Sequence, residues 1–467
     1  MEQEEAMTES GQAAAVVLAA GKGTRMKSER PKVLHRILGE PMLWYVYRAL
    51  EQALPEGDVI SIVGHGSQEV AAAFPEQSEQ FILQERQLGT GHALQCAYPR
   101  LRRAGFSRVL VVNGDAPLIT GRALQSLLQT SLEQSAEAAF ISVELPDPSG
   151  YGRVIRSSQG QVEAVVEDKD LESRPESRAI REVNAGIYCF DLTALEAHLS
   201  RLSSDNAQGE YYITELIDLC LAHGGRVATV TETDPEQFLG VNSPRELARC
   251  EELLRKRHMD QALDGGVLLH APELVRLGPR TSIAPGAELS GPVEIYGQSV
   301  IEAGAQVDSH VWIRDSHVGA GSWVRHFSHL EDVQVGQSCQ VGPYARLRPE
   351  TVLAEGAKVG NFVEVKKSRL DKGAKANHLA YLGDAEVGEG ANIGAGTITC
   401  NYDGKTKHRT IIGPKSFIGS NSALVAPLTL GAESVVGAGS TITADVPEKQ
   451  LAVSRVKQKN LPRKIKS

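Results

Sequence analysis

The chain has 467 residues, 41% of them apolar, and a formal net charge of -9. That length exceeds what one compact core fills and suggests about three domains, while the charge argues against a nucleic-acid partner, which selects for a basic face, and leaves room for small anionic substrates held by local cations. The six cysteines, Cys96, Cys189, Cys220, Cys250, Cys339 and Cys400, show no C-x-x-C pairing, which argues against zinc and for reduced thiols in a cytoplasm.

The leader Met1 to Gln12 carries four Glu and no Lys or Arg, so it lacks the basic start of a secretory signal and is expected to be a disordered tail. The longest early apolar stretch, Ala13 to Ala20, falls short of the roughly 18 residues a membrane span needs. Through residues 13–243, short apolar runs alternate with helical stretches. Ala14 to Leu18, Val59 to Val63, Val109 to Val112 and Ala138 to Val143 read as buried strands, with helices such as Met42 to Ala53 and Arg122 to Ser131 between them. This predicts an α/β domain with a mostly parallel sheet, whose ligands bind beyond the carboxyl ends of the strands.

The loop after the first strand reads Leu18-Ala19-Ala20-Gly21-Lys22-Gly23-Thr24-Arg25-Met26, followed by Pro31-Lys32. Glycines let a backbone approach an anion, and Arg25 and Lys32 can neutralise a triphosphate. The spacing matches neither the Walker loop nor G-x-G-x-x-G, since Met26 stands at the third glycine. On its residues alone it is a phosphate loop or a plain strand-to-helix turn. Downstream, Asp115 follows a strand and Asn242 precedes Ser243-Pro244; both also suit helix capping, and Glu167 also suits a solvated surface.

Residues 244–264 hold Leu247, Cys250, Leu253 and Leu254 among Arg and Glu, which predicts an amphipathic linker helix ending before Gly265-Gly266. From there to residue 467 the rhythm changes. Aliphatic residues recur every sixth position, as in Ile283, Leu289, Ile295, Ile301, Val307, Ile313, then Val318, Val324, Leu330, then Val335, Val341, Leu347, Leu353, Val359, Val365. Neither a helix nor an alternating strand has that period; three short strands per turn of a stacked triangular coil do. Glycines often follow the aliphatic residue directly, and small residues such as Ser322, Ala345, Thr397 and Ser422 recur four places after it.

A regular coil leaves no side groups to spare, so breaks in the rhythm are informative. The largest lies between Thr399 and Ile412, where the polar run Asn401 to His408 is predicted to project as a loop. Upstream stand Arg346-Leu347-Arg348, Lys366-Lys367 and Asn377-His378 with Tyr381. Coils of about eighteen residues bring such positions together.

The first-half motifs resemble those of sugar-phosphate nucleotidylyltransferases. They are Leu18 to Met26 with Pro31-Lys32, Gln84, Gln87 to His92, Gly114-Asp115, Gly150 to Arg153, Val166 to Lys169, Asn184 to Gly186 and Gly240 to Asn242. With the hexad repeat, Ala13 to Arg455 resembles the bacterial family of bifunctional N-acetylglucosamine-1-phosphate uridylyltransferases and glucosamine-1-phosphate acetyltransferases.

The resemblance implies a Rossmann-like α/β nucleotidylyltransferase domain followed by a left-handed parallel β-helix of hexapeptide repeats; the sequence itself gives no handedness. It implies UTP and N-acetylglucosamine-1-phosphate as substrates of the first domain, bound by Leu18, Ala19, Ala20, Gly21, Lys32, Gln84, Gly89, Thr90, Gly152, Glu167, Asn184 and Asn242. Mg²⁺ would sit on Asp115 and Asn242, and Arg25 and Lys32 would act as catalysts. Lys169 would also line the sugar pocket. In the β-helix it implies a trimer in which His378 is the general base, glucosamine-1-phosphate lies on Arg348, Lys366, Tyr381, Asn392 and Lys407, and acetyl-CoA on Ala395, Asn401, Tyr402, Ser420, Ala438 and Arg455. Members of that family often carry a hydroxyl residue where Ala185 stands here. Two rival readings remain: a nucleotidylyltransferase whose β-helix only assembles subunits, which needs no His378 or Lys366, and a non-catalytic scaffold, which leaves Arg25, Lys32 and Asp115 without purpose.

Overall fold

The computed structural model describes residues 13–462 apart from Ser173; the expected disordered leader and the last residues of the basic tail lie outside that range. The chain divides into two compact units, 1–252 and 253–467, where length alone suggests about three domains. A coil that grows by stacking has no upper size set by a spherical core, which is why the second half stays one unit.

In the first unit the sheet runs Val227–Glu232, Ala138–Glu144, Glu182–Asp191, Arg108–Asn113, Ala13–Ala19, Val59–Val63, Phe81–Leu83. Glu182–Asp191 is antiparallel to both neighbours, and the other pairs along this path are parallel. The expected strands and the helices Met42–Ala53 and Gly121–Glu133 are present, some a residue or two longer than the apolar runs. Strand alternation divides the core: Ala13, Ala15 and Val17 pack with Leu43 and Leu50 on one face, and Ala14 and Val16 with Leu94 and Leu101 on the other. The hairpin Arg153–Arg156 with Val162–Val166, joined to Glu182–Asp191, extends the sheet.

The helix Pro244–Asp264 spans the division between the units. Ser243 accepts the Glu246 N–H at 3.3 Å while the Glu246 carboxylate accepts the Asn242 N–H at 2.7 Å, a capping box displaced by one residue. Cys250 is buried. Further along, Arg255 donates to Pro272 O at 2.8 Å, His258 Nδ1 donates to Leu277 O at 3.0 Å, and Met259 joins the β-helix core. Each half of the helix thus has its own packing partners.

The second unit is a left-handed parallel β-helix of three parallel sheets with eleven, ten and nine strands. Leu347 stacks on Val365 and Val365 on Leu382, and nearly every residue of the hexad series is fully buried, with Ile283 of the first coil half-buried. Corner residues take the left-handed backbone region, among them Phe327, Tyr344 and Phe362 at φ 58°, 55° and 55°. The small residues after the strands serve the corners: Ser322 Oγ donates to Gly336 O at 2.7 Å and accepts the Cys339 N–H at 2.9 Å, so it ties successive coils together. Apart from Gly342 at φ 91°, the glycines beside the aliphatic file serve close approach of coils, not unusual φ; a Cβ on Gly360 would lie 2.0 Å from Asn377 O. Since each layer fills the prism, Leu330→Ala, at a fully buried site, is expected to cost about 2–5 kcal/mol. Gln340→Ala, facing solvent, should stay within about 0.5 kcal/mol, and denaturant unfolding of the two variants measures the difference.

Candidate functional site

At the carboxyl end of strand Ala13–Ala19, the loop turns through Gly23 at φ 61°, where a Cβ would lie 2.8 Å from Lys32 Cβ. The missing side chain lets Lys32 fold back beneath the loop. Its ammonium, mostly buried, contacts the Asp115 carboxylate and donates to Asn242 Oδ1 at 2.6 Å. Three residues far apart in sequence therefore converge. Asp115 O also accepts the Val241 N–H at 2.9 Å, and Asn242 Nδ2 donates to Gly240 O at 3.2 Å, which turns its Oδ1 toward the cation.

Neither residue is spent on a helix cap. Thr120 caps the helix Gly121–Glu133, and Ser243 caps the helix Pro244–Asp264. Two oxygens already gathered on a positive charge suit a hard divalent cation that takes few protein ligands. Arg25, by contrast, is exposed and makes no ion pair among the described residues, and Gly21 faces open space. Leu18 O accepts the Gly114 N–H at 3.0 Å and Ala20 O the Gln87 side-chain amide at 2.7 Å, so Leu18, Ala19 and Ala20 hold the loop base while Ala19 and Ala20 pack inside.

Gln84 is buried, with Nε2 on Gly89 O at 3.1 Å and on His92 Nδ1 at 2.9 Å. Gly89 has φ 109°, and a Cβ there would lie 2.5 Å from Tyr211 O. Thr90 Oγ1 accepts the Ile213 N–H at 3.1 Å, so this loop is locked to the segment 211–214. Of the residues expected around the sugar, Gly152, Glu167 and Asn184 sit together. Glu167 accepts from buried Thr214 at 2.9 Å, and burial pushes its carboxyl up, which removes the solvated-charge reading. Gly152 faces Glu167, where a Cβ would stand 3.6 Å from Oε2, and accepts the Asn184 N–H at 2.9 Å. Asn184 Nδ2 donates to Tyr188 Oη at 2.7 Å, and Asn184 Oδ1 accepts the Gly186 N–H at 3.0 Å. Ala185 packs into the core. Lys169 instead reaches Gln208. Sequence reasoning missed Tyr211 and Thr214, although Tyr211-Tyr212-Ile213-Thr214 is an aromatic run leading into a helix.

In the second unit, His378 ends strand Lys375–His378 and pairs in register with Asn361. Its Nδ1 lies 2.5 Å from Asn361 Oδ1. An amide oxygen only accepts, so Nδ1 carries the hydrogen and Nε2 presents the basic lone pair. Asn361 was not anticipated; it lies one coil, seventeen residues, before His378, a spacing that marks it in a hexad register. Gly360, without a side chain, permits the approach.

Around the corner, Arg348 donates to Glu364 at 2.8 Å, and Lys366 meets Lys407, whose proximity, with burial and Arg348, pushes the Lys366 ammonium down. Tyr381 pairs in register with Glu364, and its hydroxyl lies 2.5 Å from where a Gly383 Cβ would be, beside Asn401 Nδ2. Thr399 occupies an aliphatic position yet accepts the Gly383 N–H at 2.8 Å, which fixes that floor.

The break in the repeat is a small hairpin. Register steps from Asn392 to Phe417, seven residues beyond the step from Phe417 to Val435. His408 N–H closes it on Asn401 O at 2.8 Å, and Tyr402 bridges Lys407. Asp403, held by the Thr406 and Lys405 amides and His408, stiffens the turn, and its carboxyl lies well below the usual range. Asn401 is buried, and exposed Tyr402 donates to Gly404 O at 2.7 Å. Asn392 lies on the sheet of His378 but in register with Lys375; among the described residues no side-chain hydrogen bond joins it to Arg348, Lys366 or Lys407. Ala395, Ser420 and Ala438 stack at one corner, since Asn421 N–H donates to Ala395 O at 2.7 Å and Gly439 N–H to Ser420 O at 2.8 Å. Arg455 donates to Ala438 O at 2.7 Å, which completes a file along three coils.

Residues 15–189 match the model of the MobA-like NTP transferase domain, and 409–444 that of the hexapeptide repeat of succinyl-transferase. The chain is 56% identical over 454 residues to the bifunctional protein GlmU of Nitratidesulfovibrio vulgaris strain Hildenborough, covering 97% of this chain and 99% of that protein. It is 51% identical to that of Oleidesulfovibrio alaskensis, covering 96% and 97%. It is 44% identical to that of Lawsonia intracellularis, covering 97% and 98%.

Proposed function

The chain belongs to the bifunctional GlmU family, and on that premise we propose how its two sites share the synthesis of UDP-N-acetylglucosamine. The β-helix acetylates glucosamine-1-phosphate with acetyl-CoA, and the α/β unit joins the product to UTP with release of pyrophosphate. The observation that carries the two-site reading is that His378, held by Asn361, and the cations Arg348, Lys366 and Lys407 both belong to the second unit, while the Lys32–Asp115–Asn242 centre belongs to the first.

In the first reaction Arg348, Lys366 and Lys407 hold the phosphate, and Tyr381 flanks it. His378 Nε2 removes a proton from the sugar ammonium, because a protonated amine has no lone pair for the thioester. The freed amine attacks the acetyl carbonyl, and coenzyme A leaves as the thiol. The file Ala395, Ser420, Ala438 with Arg455, and the hairpin Asn401–Tyr402, would seat the coenzyme. As pH rises through the lowered Lys366 value, kcat/KM for glucosamine-1-phosphate should fall. Lys407→Met should move that limb to higher pH, because it removes the main cause of the shift, while weakening phosphate binding at neutral pH; a pH–rate profile on both proteins tests it.

In the second reaction a phosphate oxygen of N-acetylglucosamine-1-phosphate attacks the α-phosphorus of UTP in line. Such transfers depend on positioning and charge neutralisation. Mg²⁺, held by Asp115 and Asn242, would neutralise phosphate charge when bound. Lys32 then turns from those oxygens to the triphosphate, and Arg25 folds in from solvent. Gln84, Gly89 and Thr90 face the uracil, and Gly152, Glu167 and Asn184 the sugar.

We also propose a homotrimer formed through the β-helix. Exposed rings stack along one corner: His310, Phe327, Tyr344 and Phe362, with centroids 4.7, 4.8 and 5.2 Å apart. The ridge continues to exposed Leu379, next to His378. Such an apolar ridge favours a partner surface. Phe362→Glu should shift the assembly toward monomer in sedimentation and lower acetyl transfer. The substrates UTP and acetyl-CoA, with six free cysteines, support a cytoplasmic location; no helix of the described residues is long and apolar enough to cross a membrane.

A further inference from the structure

At the end of the α/β sheet opposite the substrate loops, three residues from separate elements meet. Glu137 immediately precedes strand Ala138–Glu144, His198 ends the helix Leu192–His198, and Cys220 lies within the helix Glu215–Ala222. Strands Ala138–Glu144 and Arg108–Asn113 are both antiparallel to Glu182–Asp191 and hence parallel to each other. The start of one strand is therefore far along the sheet from Asp115, which follows the end of the other.

One ligand atom from each residue, an imidazole nitrogen, a thiol sulfur and a carboxylate oxygen, lies within 4.8 Å of the others. His198 is 5% exposed and Cys220 2%. His198 Nδ1 is buried with no hydrogen-bond partner, a costly state for an imidazole unless something else satisfies it. Space is kept for the carboxylate: a Cβ on Gly225 would lie 2.2 Å from Glu137 Oε2, although Gly225 has an ordinary φ. His223 backs the His198 ring at 4.9 Å between centroids. It is not itself a free ligand, since its Nδ1 donates to Leu219 O at 2.8 Å and its Nε2 accepts from Arg201 at 2.5 Å.

We propose that Glu137, His198 and Cys220 form a binding site for a zinc-like divalent cation, distinct from the magnesium position at Asp115 and Asn242. Imidazole, thiolate and carboxylate are the donor set of a borderline-soft cation, and the half-exposed Glu137 leaves a fourth position to water. Burial lowers the affinity of His198 for a proton, so the ring is neutral and ready to ligate. Burial and the Glu137 charge push the Cys220 thiol up to about 12. The cation-free thiol is thus protonated, and binding a cation forms the S–metal bond as the S–H proton passes to solvent, one proton per ion. C-x-x-C spacing gives no sign of such a site because its ligands come from three elements.

The test is a Co²⁺ titration of the full-length protein after chelator treatment, read by the near-ultraviolet thiolate-to-cobalt band. One equivalent should produce the band, with release of one proton, and Zn²⁺ should abolish it. Cys220→Ala should lose the band. His198→Gln and Glu137→Gln, which keep the thiol, should weaken Co²⁺ binding at least tenfold, by analogy with the loss seen when metal-site partners are removed. Mg²⁺-dependent uridylyl transfer should be unchanged in folded variants. Absence of the band in the parent protein overturns the proposal. So does an equal band in Cys220→Ala, or, should that variant not fold, unchanged Co²⁺ affinity in both conservative variants.

Discussion

His378→Ala is expected to lower acetyl transfer about 10²–10⁴-fold, the usual loss on deleting a positioned general base, which corresponds to roughly 3–5 kcal/mol of barrier. The geometry makes the loss specific. Asn361 Oδ1 at 2.5 Å fixes the imidazole by Nδ1 and leaves Nε2 as the base, and alanine supplies no nitrogen in its place. The side chain is exposed and belongs to no core cluster, and its removal leaves the stack of buried aliphatic residues intact. Uridylyl transfer, in a separate unit, should continue at the parent rate. Thiol release from acetyl-CoA and pyrophosphate release from UTP, measured on the same sample, separate the two effects.

Lys32→Ala should have the converse outcome: uridylyl transfer falling about 10²–10³-fold, as when a preorganised charge at a developing anion is lost, with acetyl transfer unaffected. Lys32 Nζ holds both the Asp115 carboxylate and Asn242 Oδ1. Without it, two oxygens face each other uncompensated, so the variant should also be the more responsive of the two proteins to added divalent cation in thermal unfolding. Pyrophosphate release across a Mg²⁺ series, alongside the thiol assay, measures both.

The β-helix was legible because its signal is local and repeated: one inward aliphatic residue per hexad, read from Ile283 to Ile442 with occasional steps of five, and of these two ends Ile442 is buried while Ile283, in the first coil, is half-buried. The α/β strands were legible for the same reason, as continuous apolar runs in a sheet covered on both faces. Three things were not. The centre formed by Lys32, Asp115 and Asn242 joins residues 83 and 210 positions apart, and no local pattern encodes that closure. The antiparallel insertion of Glu182–Asp191 has the same apolar signature as a parallel strand. Asn361 escaped because a polar residue on an exposed coil carries no signal until its register neighbour is known to be His378. The linker helix was anticipated over 244–264 and is observed over Pro244–Asp264, but its two sets of partners follow from tertiary packing alone.

The most direct test of two independent sites is complementation. Equimolar Lys32→Ala and His378→Ala proteins, mixed with glucosamine-1-phosphate, acetyl-CoA and UTP, should together form UDP-N-acetylglucosamine at a rate approaching that of the parent, while each alone forms almost none, because the acetylated sugar phosphate can pass through solution from one protein to the other. A mixture as inactive as its components would contradict the account.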